Sequence, residues 1–563
     1  MNRLIQFSRK NKKLLLSLIV ILLITLFAGR TLINSKLART DDLELHGIRV
    51  ANYYLSLKQD QFPPYWGPNL YYGFGYPVFL FSYHTPYVIS TIFYIIGFGI
   101  EQSINLLLIS TLLLGSFGTF MLSFQINKKY LLAISSTCVY LSAPYILLNY
   151  FVRGSIGEIT FISLIPWLLW LINIRQNSDK WWYKIISVLI LSCLILSHPL
   201  SLLIITPIIL GYWILIGIRK FPFSFYLSGI TSLLITSFSW LPMLLEKKYT
   251  VISTHDITNN FVNRFPSFSS LIFSKWGYGG ADITKANDVL PTTFGFSIIL
   301  IILISLWLIL KKRKMGELKF EIYWFSVFLI SLFLMMPSST SIWKVSKVLP
   351  YIQYPWRLLW VSVLSSIMLL NSQLLNKFLS NKIKLFMYFL IFLIAIFNLV
   401  NYAKPLSYIS NTDHDWKQHP STSTSDNELK PIWFDEGFNI ALDKNLYLRN
   451  NNQQIIEATP SSLVWTGSKM SYQIDSIEEA EILQKTAYFP GWEVKVNGEV
   501  VPINYQDENY KGRVIFPIKK GKNNIEVKFT NNTVARESSL YLSAIGSLMW
   551  ITMIIFSIRK IKH

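Results

Sequence analysis

The chain has 563 residues, of which 52% are hydrophobic and only 15% charged, and its mean hydropathy is +0.38. A formal charge of +21 would suit a nucleic-acid partner, but the basic residues stand in short clusters between long apolar segments. That distribution is typical of the cytoplasmic loops of membrane proteins, so we predict no nucleic-acid binding. Cys138 and Cys193 lie inside apolar segments, which argues against a disulfide framework or a thiolate metal site.

Hydropathy marks thirteen apolar segments, and many hold roughly the 18 residues needed to cross a bilayer. The sequence therefore predicts a mostly α-helical, polytopic membrane protein, because helices satisfy their own backbone hydrogen bonds in lipid. No A-x-A-like cleavage site follows the first segment, so we predict a retained first span. The segments are 14–27, 78–99, 104–124, 130–149, 159–174, 183–197, 200–218, 224–244, 294–310, 320–337, 355–372, 383–402 and 539–558.

Basic clusters indicate which loops face the cytoplasm, and they predict that both termini are inside. Thirteen crossings would put the termini on opposite sides, so we predict that one segment does not cross. The alternative is that one basic loop is assigned to the wrong side of the membrane. We assign that role to 78–99, whose Tyr, His and Pro residues suit a helix in the outer leaflet. About twelve spans remain in the plasma membrane, and the predicted outer loops are 30–103, 150–158, 198–201, 245–293, 338–356 and 403–538.

The composition changes after residue 402, where apolar runs give way to polar turns and short alternating segments. We predict a multi-span domain at 1–402, an outer β-rich domain of sandwich type at 403–538, and a last span with a basic tail at 539–563. Glu493–Val496 followed by Asn497-Gly498 predicts a hairpin. Residues 513–529 repeat the strand–turn–strand pattern. The one low-complexity tract is STSTS at 421–425.

The first outer loop opens with three acids and a histidine within six residues, in a chain otherwise poor in acids. Asp41 with Glu44 fits a capping box, which is a purely structural explanation of those two residues. A polar stripe at helical spacing continues from there, made of Asp42, His46, Arg49 and Tyr53.

The opposite face of that helix carries Leu45, Ile48 and Leu55, so the helix can lie on the membrane with the stripe facing a cavity. A carboxylate there can act as general base toward a hydroxyl or amine, with Asp42 the first choice and Asp41 the second. His46 would orient the base or bind a phosphate.

An aromatic, glycine-rich run follows from Pro63 to Phe79. The structural explanation is an aromatic belt at the membrane interface, which we favour for most of these rings. The functional alternative is that one or two rings, represented by Trp66 and Tyr76, stack on a sugar or line a lipid groove.

Other polar residues stand on the predicted outer side. Arg153 and Glu158 bracket the start of a span beside glycines, which favours a shaped loop over snorkelling alone. His198 lies in a tight turn and is more often structural than a ligand. Arg357 in the QYPWR segment suits phosphate oxygens, although a headgroup anchor is an equal alternative.

The order of these features resembles the GT-C superfamily of integral-membrane glycosyltransferases. The segments at 46–87 (HGIRVANYY onward), 151–158 (FVRGSIGE) and 353–357 (QYPWR) are most similar to bacterial PTPS-related membrane proteins. The segment YFPGWEVKVNGEVVPI at 488–503 resembles the C-terminal module of YfhO-like proteins. The resemblance implies that Asp42 is the first-loop catalytic aspartate and Glu158 the second-loop acid. No DxD-type motif stands on the second loop, which leaves a divalent metal ion open, with Asp42 and Glu158 as its ligands if one is used.

We therefore predict an inverting glycosyltransferase that takes a sugar from a polyprenyl-phosphate carrier and passes it to an envelope glycan, lipid or protein. Arg153 and Arg357 would hold the lipid phosphate, and His46, Arg49 and His198 would help bind substrate. Two alternatives remain: a transporter or assembly partner for lipid-linked glycans without chemistry, and a structural scaffold of the cell envelope. Mid-span charges are nearly absent, which favours the enzyme over a transporter.

Overall fold

The structure is a computed structural model that describes residues 12–176, 180–253, 261–279, 290–311, 318–424, 426–439 and 444–562. It is mostly helical, at 61%, with a C-terminal region of β-sheet. The predicted fold class is confirmed at this level. The N-terminal basic cluster, within residues 1–11, lies outside the described residues.

Each of the twelve predicted spans coincides with a helix or with two consecutive helices. Their bounds are Lys12–Ala28, Ile100–Asn127, Tyr130–Ser142 with Pro144–Leu148, Ile156–Arg175, Trp181–Ile195, Pro199–Ile216, Phe223–Ile235 with Ser237–Glu246, Phe296–Lys311, Lys319–Met335, Leu359–Leu370, Asn381–Tyr402 and Val534–Lys562. Five helices of the described chain are long and apolar enough to cross a membrane, or up to eight if bent pairs count as one span. Because the remaining apolar helices are shorter, the count of twelve stays a prediction.

The segment 78–99 forms only a short turn and one short helix, Thr85–Ile95. That helix has 11 residues and is therefore about 16 Å long, roughly half the thickness of the hydrocarbon core. The predicted span Leu359–Leu370 has only 12 residues, so length alone does not test whether 78–99 crosses, and this stays a prediction. The other helices are Leu43–Lys58, Phe268–Ile272, Thr340–Val345, Gln373–Phe378, Asp413–Lys417 and Glu436–Asn439.

The β-rich region forms two antiparallel sheets. Strands β3 (Leu446–Asn450), β4 (Ile455–Glu457), β7 (Ala480–Ala487) and β10 (Arg513–Ile518) form one, in the order β10-β7-β3-β4. The other has the order β5-β6-β11-β8-β9, with β5 at Ser462–Trp465, β6 at Lys469–Ser476, β8 at Trp492–Val496, β9 at Glu499–Val501 and β11 at Gly521–Phe529. Tyr472 of β6 donates a hydrogen bond of 2.8 Å to Gln484 of β7, which joins the two sheets.

The Asn497-Gly498 hairpin is confirmed. Val496 pairs with Glu499, and both turn residues have positive φ, at 53° and 86°, as a type I′ turn requires. The strands predicted at 513–529 also form, but β10 pairs with β7 while β11 pairs with β6 and β8. They therefore lie in different sheets and do not form a hairpin.

The first outer loop ties the helical region to the β-region. Strand β1, Leu37–Ala38, pairs with β2, Tyr408–Ile409, just after the helix Asn381–Tyr402. The aromatic run 63–79 packs between the two regions: Trp66 is fully buried, with its ring centroid 5.0 Å from that of Phe529 and 5.5 Å from that of Trp492. The prediction of an interfacial aromatic belt is therefore wrong for most of this run, because its rings fill a protein core.

Candidate functional site

One polar cavity of about 460 Å³, hereafter the polar cavity, lies where all the predicted outer loops meet. Every one of those loops contributes to its wall, so they share one end of the helical region. The lining residues are Asp41, Asp42, Leu45, His46, Arg49, Tyr83, Arg153, Ser155, His198, Ile252, Arg264, Leu290, Gln353, Tyr354, Trp356, Arg357, Thr424, Asp426 and Glu428. Four arginines and four carboxylates thus face the same space.

The first-loop helix, Leu43–Lys58, delivers Asp42 to the polar cavity as its N-cap residue. The backbone of Asp42 donates a hydrogen bond of 2.8 Å to the carbonyl of Arg153, which fixes the first loop against the second. Gly154 allows this approach, since it has φ of +72° and a Cβ there would lie 2.2 Å from Thr40 Oγ1. The shaped loop predicted around Arg153 is therefore present, and glycine is required for it.

The capping box predicted for Asp41 and Glu44 is wrong. The N-cap is Asp42, which makes no side-chain capping bond, and Thr40 Oγ1 instead accepts from the backbone N–H of Leu43 at 3.2 Å. The side chain of Asp42 does not cap the helix, and both aspartates line the polar cavity.

Asp42 is partly buried, and burial raises the pKa of its carboxyl group, while the nearby Arg153, Arg49 and Arg357 oppose that shift. A carboxylate with a raised pKa holds a proton more strongly than an ordinary aspartate. It is therefore a stronger base for accepting a proton from a substrate.

His46 is buried between two tyrosines. Its Nδ1 lies 3.0 Å from the hydroxyl of Tyr87 and its Nε2 lies 3.3 Å from the hydroxyl of Tyr83. Burial, reinforced by the charge of Arg49, holds the pKa of His46 well below its ordinary value. The imidazole is therefore neutral near pH 7, which suits hydrogen bonding in the wall and removes the electrostatic basis for phosphate binding by this residue.

The predicted polar stripe reaches the polar cavity only in part. Asp42, His46 and Arg49 line it, whereas Tyr53 is buried against the ring of Tyr87. Ile48, expected on a membrane-facing side, is also buried. The helix is thus enclosed by protein on most sides.

Arg153, Glu158 and Arg357 form a buried ion cluster beneath the polar cavity. Arg153 Nη1 lies 2.8 Å and Arg357 Nε 3.8 Å from Glu158 Oε2, and the Glu158 side chain is fully buried. Tyr145 donates a 2.5 Å hydrogen bond to Glu158 Oε1. Snorkelling to the headgroups does not describe these residues, because all three are buried inside the protein.

The guanidinium groups of this cluster lie on stacked aromatic rings. Tyr354 and Trp356 stack with centroids 5.1 Å apart. Arg153 Cζ lies 4.6 Å from the Trp356 centroid, and Arg357 Cζ lies 4.8 Å from that of Tyr354. Arg264, from the 245–293 loop, adds a third guanidinium 5.5 Å from the Tyr354 centroid. We name Arg153, Arg264 and Arg357 the arginine cluster.

Sequence reasoning missed the loop that closes the polar cavity, residues 421–428. Its Thr424, Asp426 and Glu428 line the wall. Arg49 Nε donates to Ser423 Oγ at 3.1 Å, and Arg49 Nη2 donates to the Ser423 carbonyl. The STSTS tract was the available signal, since small hydroxyl residues commonly bond their own backbone in loops.

His198 lines the polar cavity and also caps a helix. The backbone N–H of Ser201 donates to His198 Nδ1 at 3.2 Å, so the ring proton of the neutral form belongs on Nε2. Burial lowers the pKa of His198 to about 3. Both predicted roles, the structural one and a place in the site, therefore apply to this residue.

Trp66 and Tyr76 do not line the polar cavity. Trp66 belongs to the core beside Phe529, as described above. Tyr76 is buried behind the 421–428 loop, where its hydroxyl accepts from the backbone N–H of Leu429 at 2.8 Å and lies 3.1 Å from Thr424 Oγ1. The structure therefore gives neither ring a place in the wall of the polar cavity, and Tyr76 holds the loop instead.

The arrangement of Glu158 does not fit a metal ligand. Both of its oxygens already accept from Tyr145 and Arg153, and no three His, Cys, Asp or Glu side chains of the described residues come together as a metal site. Divalent metal dependence, with Asp42 and Glu158 as ligands, stays a prediction.

Comparison with known proteins identifies the family. A model described as "6-pyruvoyl-tetrahydropterin synthase related domain; membrane protein" matches residues 81–406, more than half of the chain. No curated protein sequence matches.

Two solved structures match the chain at low similarity. Arabinofuranosyltransferase AftD from Mycobacteria is 16% identical, with a TM-score of 0.40, over 71% of this chain and 27% of that one. The Archaeoglobus fulgidus oligosaccharyltransferase, tethered to an acceptor peptide, is 14% identical, with a TM-score of 0.40, over 78% of this chain and 57% of that one. The chain thus spans less than two thirds of either protein.

Proposed function

We propose that this chain, which belongs to the 6-pyruvoyl-tetrahydropterin synthase related family of membrane proteins, is a membrane glycosyltransferase. One observation carries the proposal: a single cavity combines Asp42, a carboxyl group with a raised pKa, with the three guanidinium groups of the arginine cluster. The first can accept a proton, and the second can hold an anionic leaving group. Glycosyl transfer from a phosphate-linked donor requires both functions.

The proposed donor is a sugar on a polyprenyl phosphate, and the acceptor is an envelope glycan, lipid or protein. Asp42 removes the proton of the acceptor hydroxyl or amine as the acceptor atom attacks the anomeric carbon. The bond between that carbon and the phosphate oxygen breaks, and the configuration inverts. The lipid phosphate then leaves as an anion, which needs no further proton.

The arginine cluster supports this choice of donor. Within the described part of the chain, Arg357 Nε is buried without a hydrogen-bond partner. The bonds of Arg153 to Tyr145, Asn149 and Glu158 all leave from Nη1. Planar guanidinium groups with donors to spare suit phosphate oxygens, and the low dielectric around a buried site strengthens the attraction.

The proposed location is the plasma membrane, with both termini cytoplasmic and the polar cavity on the outer side. The meeting of all the predicted outer loops at one cavity supports this arrangement, since charge alone predicted them to share one side. The outer side is also where a lipid-linked sugar would meet envelope acceptors.

The test is a strain lacking the protein, complemented with the wild type, Asp42→Asn or Asp41→Asn, whose envelope glycans and lipid-linked sugars are profiled by mass spectrometry. We expect Asp42→Asn to accumulate the lipid-linked donor and to slow transfer by about 10²- to 10⁴-fold, the usual contribution of a general base. Asp41→Asn should lose less. Glu44→Gln is the matched control, because Glu44 is exposed and lies outside the polar cavity.

Equal membrane levels of all variants, checked by immunoblot, are required for this comparison. Asp42→Asn restoring the glycan profile as fully as the wild type would overturn the enzymatic proposal. If arginine-cluster variants then still fail to restore it, the alternative of a non-catalytic transporter for lipid-linked glycans is favoured.

A further inference from the structure

A second large cavity opens at the seam between the first outer loop and the β-region. We call it the seam groove. It has a volume of about 740 Å³ and is formed by the end of the first-loop helix, the turn at 69–73, residues 418–420 and the start of β-region loops. None of its lining residues belongs to the polar cavity.

Two aromatic rings, those of Tyr72 and Trp465, line the seam groove. Tyr71 and Tyr72 both have left-handed backbones, with φ of 56° and 58°, which non-glycine residues adopt only at a cost. The turn is held by the backbone N–H of Tyr72, which donates to the Pro420 carbonyl at 2.8 Å. Tyr71 is thereby buried while Tyr72 remains 55% exposed, so the turn displays one large ring at the surface.

Side-chain amides supply hydrogen-bonding groups around these rings. They come from four separate segments: Gln59, Asn69, Gln418 and Asn445. Asn69 Nδ2 donates to the Lys417 carbonyl at 2.8 Å, so its own carbonyl oxygen is the group it can offer to a ligand. Ser468 donates to Gln59 Oε1, so Gln59 can offer its NH₂ group. Acceptors and donors are thus both available.

The charge of the seam groove is positive. Lys58 and Lys485 line it, and the described part of its lining contains no carboxylate. The two lysines come from the first-loop helix and from β7, which are far apart in sequence. A carboxylate or phosphate in the seam groove would therefore be attracted by both lysines.

We propose that the seam groove binds an acidic glycan, a sugar chain that carries carboxylate or phosphate groups. The C–H face of a sugar ring is partly positive and can stack on the negative faces of Tyr72 and Trp465. Sugar hydroxyls both donate and accept, which suits the mixed amide groups. The two lysines select chains with acidic substituents over neutral ones.

If the proposed function holds, on which this step rests, the glycan in the seam groove is the acceptor or its growing chain. The first-loop helix begins at Asp42 in the polar cavity and ends at Lys58 in the seam groove, about 24 Å further along at 1.5 Å per residue. The 418–428 segment also lines both spaces. A chain held in the seam groove can therefore extend along this helix toward Asp42.

The binding test uses the purified full-length protein in detergent on a glycan array that carries uronate-bearing, phosphate-bearing and neutral oligosaccharides. We expect binding of acidic members, reduced roughly tenfold or more by Tyr72→Ala or by the double variant Lys58→Gln with Lys485→Gln. Lys522→Gln with Lys528→Gln is the matched control, since both lysines are exposed on β11 outside the seam groove. Binding to no glycan, or equally to wild type and Tyr72→Ala, overturns the proposal, and binding to neutral glycans alone overturns its acidic part.

A second arm separates this inference from the proposed enzymatic activity. Asp42→Asn should bind the array as the wild type does, because it changes only the polar cavity. Tyr72→Ala should raise the KM for the acceptor while kcat stays unchanged. If Asp42→Asn keeps full activity but glycan binding still depends on Tyr72, the proposed role of Asp42 as the base fails and the glycan-binding proposal for the seam groove stands.

Discussion

Two buried ion clusters of the same protein differ in their charge balance. Glu246 and Arg536 form one, between the end of the helix Ser237–Glu246 and the start of the last helix. Arg536 Nη2 lies 2.7 Å from Glu246 Oε2, and its remaining donors reach the carbonyls of Thr530 and Pro490. In the other, Glu158 is shared by two arginines, one of which keeps a buried Nε without a hydrogen bond.

The difference separates a structural contact from a binding site. The Glu246–Arg536 pair is neutral and saturated, so it can only hold the last helix and the Pro490 turn in place. The cluster at Glu158 has a net charge of +1 and borders a cavity, so it can gain by accepting an anion. Burial alone therefore does not identify a functional charge, whereas the Glu158 cluster combines an incomplete set of partners with a bordering cavity.

The largest expected effect is on stability, and it should differ between Arg536 and Arg357. Arg536→Gln should lower the free energy of unfolding by about 3–5 kcal/mol, because Glu246 is left buried and unpaired. Arg357→Gln should lower it far less, since Glu158 keeps Arg153 and Tyr145. Thermal unfolding of both variants in detergent measures this difference, and equal losses would contradict the comparison.

The next prediction concerns donor binding by Arg357. Arg357→Gln should weaken the binding of the lipid phosphate by about 1.5–3 kcal/mol, the contribution of a charged hydrogen bond, which is roughly 10- to 150-fold in the KM for the donor. The measurement is a transfer assay at varied donor concentration.

Lys347→Gln is the control for Arg357→Gln. Lys347 lies in the predicted outer loop 338–356, which ends directly before Arg357, and it is exposed and does not line the polar cavity. The Lys347→Gln substitution removes one positive charge, as Arg357→Gln does, but it leaves the polar cavity unchanged. An equal rise in KM for both variants would mean that general electrostatics, and not the cluster, attracts the donor.

A pH profile tests the electrostatic link between Arg49 and Asp42. A base must be ionised, so kcat/KM should fall as the pH drops through the raised pKa of Asp42, at higher pH than for an ordinary aspartate. Arg49 is one of the charges that oppose this rise, so Arg49→Gln should move the acidic limb to still higher pH. Arg49→Lys keeps the charge and should leave the limb in place. A limb that does not move in Arg49→Gln would show that Asp42 is not the titrating base.

Much of the site was accessible to sequence reasoning because each piece had a local pattern. Helical spacing grouped Asp42, His46 and Arg49, and the charge of the basic loops placed Arg153 and Arg357 on the same side. Counting alone set the segment 78–99 apart from the twelve predicted spans, and its helix Thr85–Ile95 has 11 residues.

What sequence reasoning missed depends on contacts between distant segments. The aromatic run has the composition of a membrane belt, but it is covered by β-strands more than 400 residues further along, as the Trp66–Phe529 contact shows. Asp426 and Glu428 enter the polar cavity because Tyr76 holds their loop. No periodicity within one segment reports such pairings, since they arise from the tertiary fold.

The smallest effect concerns the ring beneath the arginine cluster. Tyr354 lies under both Arg264 and Arg357, and a cation–π contact contributes about 0.5–1 kcal/mol. Tyr354→Leu should therefore raise the KM for the donor by about 2- to 5-fold. Tyr354→Phe keeps the ring and should behave as the wild type, because the hydroxyl is not part of the contact. If the Tyr354→Phe and Tyr354→Leu variants behave alike, side-chain packing sets the positions of the two arginines. If only Tyr354→Leu is impaired, the face of the aromatic ring sets them. The arginine cluster then depends on an aromatic contact in addition to the charge of Glu158.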